Sequence, residues 1–170
     1  MSTDLSEAVQ QSWRTCSRAT SFLVGELPEE VWGEKLPGMP RRTIRMIAGH
    51  LHNCRCMWVK NLGKPYEISV PEKADRFRVT PEELLAALDE SAEAVTQLIS
   101  ACLEQGGLLP KIAWSNLAPD IVHFMTYLSA HEAHHRGQII MLCRQLGHRL
   151  PDSVANGVWQ WSKLAKGQDP

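Results

Sequence analysis

Apolar residues recur three and four positions apart along four long stretches of the chain, and no alternating apolar–polar pattern persists anywhere. The first spacing puts one face of a helix against a core, whereas alternation would mark a half-buried strand. The pattern predicts helices from about Asp4 to Gly25, Arg42 to Leu62, Thr80 to Gln105 and Asp120 to Leu146. Local chemistry sharpens their ends. Asp4 and Glu7 have the spacing of a capping box. Thr80, Pro81 and Glu83 supply a cap, a first-turn proline and the reciprocal acid. Gly63, Gly106-Gly107 and Gly147 are stop signals.

Four long amphipathic helices predict an all-α protein, a four-helix bundle in one domain over residues 1–170. The segment from Glu26 to Pro40 holds Pro28, Gly33, Pro37, Gly38 and Pro40, so it is expected to be mostly loop, pinned to the core by Trp32. The joints after Gly63 and Gly106 are long, and long joints allow a crossover between parallel helices. Pro151-Asp152-Ser153 opens a short C-terminal helix bearing Trp159 and Trp161. Core packing is the expected role of the tryptophans.

Composition narrows the function classes. With 170 residues, 44% hydrophobic and 22% charged, the chain can bury a core of its own. A net charge of −1 gives no global footprint for nucleic acid or an anionic membrane. No apolar run approaches the roughly 18 residues of a membrane span. The start of the chain lacks the apolar stretch of a signal peptide. Five irregularly spaced cysteines then read as reduced thiols, mostly buried, in a cytoplasmic protein. The near-neutral total is a cancellation. From Arg41 to Lys64 there are six basic residues and no acid, and from Thr80 to Pro110 six acids and no Lys or Arg. Two readings follow: the second and third long helices lie side by side with complementary surfaces, or Arg41, Arg42 or Arg45 receives an anionic cofactor.

Seven histidines change the picture further. In the last long helix the apolar stripe reads Ile121, Phe124, Leu128, His131, His135, Ile139, Leu142, Leu146. Two histidines therefore stand where Leu or Ile is expected. Residues four apart lie on one face with Cβ atoms about 5–6 Å apart, close enough for both imidazoles to bind one ion. In the second long helix the stripe is Ile44, Ile47, Leu51, Cys54, Trp58. His50 flanks it, about 60° from Ile47 and about 40° from Cys54, whereas His52 lies about 200° from His50. His50 is thus the choice for a third ligand. His123, His134 and His148 are expected to be exposed or to support the ligands.

His131-Glu132-Ala133-His134-His135 also matches H-E-x-x-H, which in metalloproteases binds zinc with the Glu as base. Those enzymes take a third ligand from downstream. Here no Glu follows Glu132, and Gln138 and Met141 occupy the positions where one such pattern needs Gly and His. A metallohydrolase is therefore the weakest reading.

The stretch His131-Glu-Ala-His-His135-Arg136-Gly137-Gln138-Ile139 is similar to the H-x-x-x-H-R-G-Q motif of the DinB/YfiT-like superfamily, and Ile47-Ala48-Gly49-His50-Leu51 resembles its first-histidine segment. The resemblance runs from the first helix to Gly147. It implies up-down-down-up connectivity and a divalent metal site, commonly nickel or zinc, carried here by His50, His131 and His135. It also implies a homodimer. Characterised relatives include S-transferases that depend on bacillithiol or mycothiol and a maleylpyruvate isomerase. The expected partners are accordingly a low-molecular-weight thiol and a small-molecule electrophile. A non-enzymatic, stress-related metal-binding bundle is the alternative, favoured if Cys54 or a carboxylate closes the fourth position.

Neighbouring residues carry further expectations. Gln138 is placed to orient a ligand ring. Gly137 is expected to permit tight helix packing. Arg136 faces another helix or a substrate. Cys54 packs in the core or touches the ion. Glu132 is a base or, preferentially, an acid on the rim.

Overall fold

Helix signals in the sequence are realised as local hydrogen bonds. The computed structural model describes residues 4–36 and 38–170, so Pro37, counted above among the loop residues, lies outside the described residues. Helix α1 spans Leu5–Gly25, and the Asp4 carboxylate accepts from the Ser6 and Glu7 amides. Helix α2 (Glu29–Trp32) and a hairpin of β1 (Lys35–Leu36) with β2 (Met39–Thr43) precede helix α3 (Ile44–Leu62). Helix α4 (Pro81–Glu104) carries the full Thr80–Glu83 capping box. Helix α5 (Ile121–Gln145) is capped by Asp120 and followed by Gly147 at φ 89°. Two short helices close the fold, α6 (Asp152–Gly157) and α7 (Trp161–Ala165).

Pairwise contacts set the directions. Trp13 donates to the Ala92 carbonyl while Gly25 lies against Leu85, so α1 and α4 are antiparallel. Arg55 reaches Leu88, and Tyr66 beyond α3 reaches Leu108 beyond α4, so those two helices run parallel. His50 meets His135 whereas Trp58 meets Phe124, so α3 and α5 are antiparallel. The long helices α1, α3, α4 and α5 therefore run up, down, down, up. Helices α4 and α5 each pack against both α1 and α3.

The core is divided. One apolar cluster contains Leu23, Trp32, Ile44, Leu51, Leu84, Leu88 and Ile139. The other contains Trp13, Trp58, Leu98, Ile99, Phe124 and Leu128. Between them, at mid-height in every long helix, lie buried polar groups: Thr20, Arg55, Ser91, Glu132 and Arg136.

Three expectations need correction. The segment before α3 is not mostly loop. A four-residue helix and a two-residue strand are too short to show a period, and β2 takes Arg42 and Thr43 from the predicted start of α3. Thr43 caps that helix by accepting from the Met46 amide. The C-terminal helix is two helices, because the chain turns at Val158 to Gln160. Its tryptophans are not core residues: Trp159 is 72% and Trp161 40% exposed, whereas Trp13, Trp32 and Trp58 are buried. The basic and acidic segments do lie side by side in α3 and α4, yet among the described residues no ion pair joins them. Trp32 holds its segment as expected, donating from Nε1 to the Val79 carbonyl at 2.9 Å.

The turn between α6 and α7 rests on close contact with α1. A Cβ at Gly157 would stand 2.5 Å from Phe22 Cε1 and 2.7 Å from Cζ. Overpacking of this kind costs about 1–3 kcal/mol. Gly157→Ala is expected to lower the urea unfolding free energy by about that amount, with the loss relieved in Gly157→Ala/Phe22→Leu.

Candidate metal centre

The buried seam of α5 explains where the histidines stand. It runs Phe124, Leu128, Glu132, Arg136, Ile139, Cys143, one residue later than the stripe expected at its centre. Glu132 and Arg136 occupy interior positions, and His131 and His135 are half-buried at the edge, facing α3. Glu132 looked like a rim residue in the sequence because its partners are on other helices.

Glu132 is therefore not a rim acid. Its carboxylate and the Arg55 guanidinium are both fully buried. Arg55 Nε donates to Oε1 and its Nη2 to Oε2, each at 2.9 Å. The remaining Arg55 nitrogen donates to the Leu88 carbonyl at 3.0 Å. Thr20 Oγ1 donates to Oε2 at 2.5 Å, and Arg136 donates to Thr20 Oγ1 at 2.9 Å. Burial alone would raise the Glu132 pKa, but the Arg55 charge and its hydrogen bonds, with Thr20 and Arg136, outweigh it and hold the carboxyl below its usual range. It is ionised and committed, which removes the base that an H-E-x-x-H hydrolase needs. Arg136 faces α1, donating also to the Cys16 carbonyl at 3.3 Å.

Above this layer the three predicted histidines come together. One ligand nitrogen from each of His50, His131 and His135 lies within 4.8 Å of the others. His50 Nε2 and His131 Nε2 are 3.2 Å apart. Two imidazole nitrogens on a tetrahedral zinc, each at about 2.0–2.1 Å, would be about 3.3 Å apart. Gln138 Oε1 accepts from His135 Nδ1 at 2.8 Å, which fixes the ring and leaves Nε2 as the nitrogen free to bind an ion. Among the described residues His131 Nδ1 is buried without a hydrogen-bond partner, while its Nε2 faces the His50 imidazole. Burial and the neighbouring histidines depress the His50 pKa to about 4. Burial also lowers those of His131 and His135. Three neutral rings turned on one point offer lone pairs that a cation answers, so the donor set fits a divalent metal.

The other candidates separate cleanly. His52 faces away and donates to the Glu72 carbonyl at 2.8 Å. His123 and His134 are exposed and His148 is half-buried, and none of the three joins the cluster. All five cysteines are free and buried. Cys54 lies outside the histidine cluster, and burial pushes its thiol up to about 11. Gly137 does not serve tight packing: it is exposed, and a Cβ there would meet nothing within 4 Å. Tyr127 stacks on His131 with ring centroids 6.0 Å apart, and Trp58 stands against Tyr127 at 5.5 Å. Arg55 and Glu132 were missed as a pair. Their signal was position: each follows a core leucine, Leu51 or Leu128, by four residues.

Removing one member of a buried pair strands the other charge, at about 3–5 kcal/mol. Glu132→Leu is expected to lower the unfolding free energy by that amount. Arg55→Met/Glu132→Leu should regain most of it, which a double-mutant cycle in urea would measure.

No curated protein matches the chain. The DinB family matches residues 1–160, a span that takes in all four long helices and all three clustered histidines. The chain belongs to the DinB family.

Proposed function

We propose that the protein is a metal-dependent enzyme that transfers the sulfur of a low-molecular-weight thiol to a small electrophile. The observation that carries this reading is the donor set: three neutral imidazoles, with neither Cys54 nor Glu132 joining them. Structural zinc prefers four protein ligands, whereas three leave a position for a reactant. A metal-binding bundle without activity would call for that fourth donor. Nickel or zinc is the proposed ion.

A divalent ion bound there would ionise a thiol near neutral pH. The chain's own groups do the rest. Gln138 fixes His135, and the Arg55–Glu132 pair fixes the rotation of α5 that aims His131. Tyr127 and Trp58 wall one side of the cluster and limit water. In the reaction the S–H proton leaves, a sulfur–carbon bond forms, the bond to the leaving group breaks, and the leaving group takes up the proton.

The test is metal content followed by thiol titration. Purified wild type is expected to hold about one divalent ion per chain, and His135→Ala to lose it. Gln138→Leu should weaken metal affinity by about 10–100-fold. Adding 2-mercaptoethanol at neutral pH should produce thiolate absorbance with metal-loaded protein and none with metal-free protein. Equal thiolate in both would refute the reading, and undiminished metal in His135→Ala would remove the site.

A further inference from the structure

One set of contacts beside the histidine cluster is built within a single turn of α5. Residues three and four apart on a helix share a face, so Gln138 stands next to both His135 and His134. Both contacts form. Gln138 Oε1 accepts from His135 Nδ1 at 2.8 Å. Gln138 Nε2 donates to His134 Nε2 at 2.9 Å. The two imidazoles meet edge to face, with ring centroids 5.0 Å apart. His134 is exposed and stands outside the cluster, so its part is not that of a ligand.

The direction of these bonds has a chemical consequence. An amide has an acceptor end and a donor end, and a neutral imidazole has one nitrogen of each kind. With its oxygen on His135 Nδ1, Gln138 requires the ring proton there and leaves the Nε2 lone pair for an ion. Turned end for end, the amide would donate to Nδ1 and drive the proton to Nε2, where it would block coordination. His134 opposes that turn by accepting from the amino end. Among the described residues the other two rings have no such hold. His131 Nδ1 is buried without a partner, and the hydrogen-bonding neighbour of His50 is His131 itself.

We propose that His134 is a positioning residue: by holding the amino end of Gln138, it keeps His135 in the tautomer that binds a metal through Nε2. The proposal rests on the three-histidine metal reading, and its test begins on metal-free protein so that the two can fail separately.

The test places at position 134 side chains that act at only one end of the amide. Glutamate accepts only and lysine donates only, whereas leucine does neither. Long-range proton–nitrogen NMR of the metal-free protein, at a mildly alkaline pH where imidazoles are neutral, distinguishes a protonated ring nitrogen from a bare one. Wild type and His134→Glu are expected to carry the His135 proton on Nδ1. His134→Lys should move it to Nε2, and His134→Leu should give a mixture. Zinc affinity, measured by competition with a chelator, is expected to fall about two- to tenfold in His134→Leu and further in His134→Lys. Each substitution is repeated in Gln138→Leu. In that background a pure charge effect on the ion persists, whereas an effect carried by the amide vanishes. His134→Leu should therefore cost nothing further there.

A His135 tautomer that is the same in wild type, His134→Leu and His134→Lys overturns the proposal. So does a His134→Leu loss of zinc affinity that persists undiminished in Gln138→Leu, because His134 would then act without the amide. Tautomers that follow residue 134, in a protein whose His135→Ala variant keeps its zinc, would leave His134 as the residue that sets the tautomer and overturn the metal reading instead.

Discussion

The fold depends on one buried ion pair. Arg55 and Glu132 meet at mid-height, where the two apolar clusters part. Arg55 ties α3 to α4 through the Leu88 carbonyl and to α5 through the carboxylate, while Thr20 and Arg136 bring in α1. Such a pair adds little net stability over an apolar equivalent. What it supplies is register. An apolar bundle can slide by a turn at modest cost, but here a slide would leave a guanidinium and a carboxylate buried without partners.

That constraint builds the site. With Glu132 held inward, His131 and His135 are carried to the edge of the seam that faces α3. With Arg55 held inward, His50 is turned to the flank opposite them. The same pair also engages Glu132, the acid that follows His131 in the chain. The histidines stay neutral through burial and mutual repulsion, which readies them for a cation.

Much of this was legible in the sequence where one helix carried the whole signal. The four long helices, the Thr80–Glu83 cap, the meeting of His50 rather than His52 with the α5 histidines and the hold of Gln138 on His135 all follow from spacing within a helix, and all are seen in the structure. What could not be read was cooperation between helices. Glu132 was expected on the rim because its partners, Arg55 and Thr20, are far away in sequence. That misplaced the seam by one residue. Asn53 carried no signal as a fastening, since Ala74, whose backbone it holds, lies some twenty residues on. The short α2 and the hairpin were invisible for another reason: they are too brief to show a period.

The central claim is a metal site of three imidazoles with a fourth position left for a reactant. X-ray absorption of the zinc-loaded protein tests it most directly. The account predicts nitrogen or oxygen neighbours at about 2.0–2.1 Å, three of them imidazoles, and no sulfur until a thiol is added, when one neighbour at about 2.3 Å should appear. A sulfur neighbour in the protein alone, placing Cys54 on the metal, would contradict it.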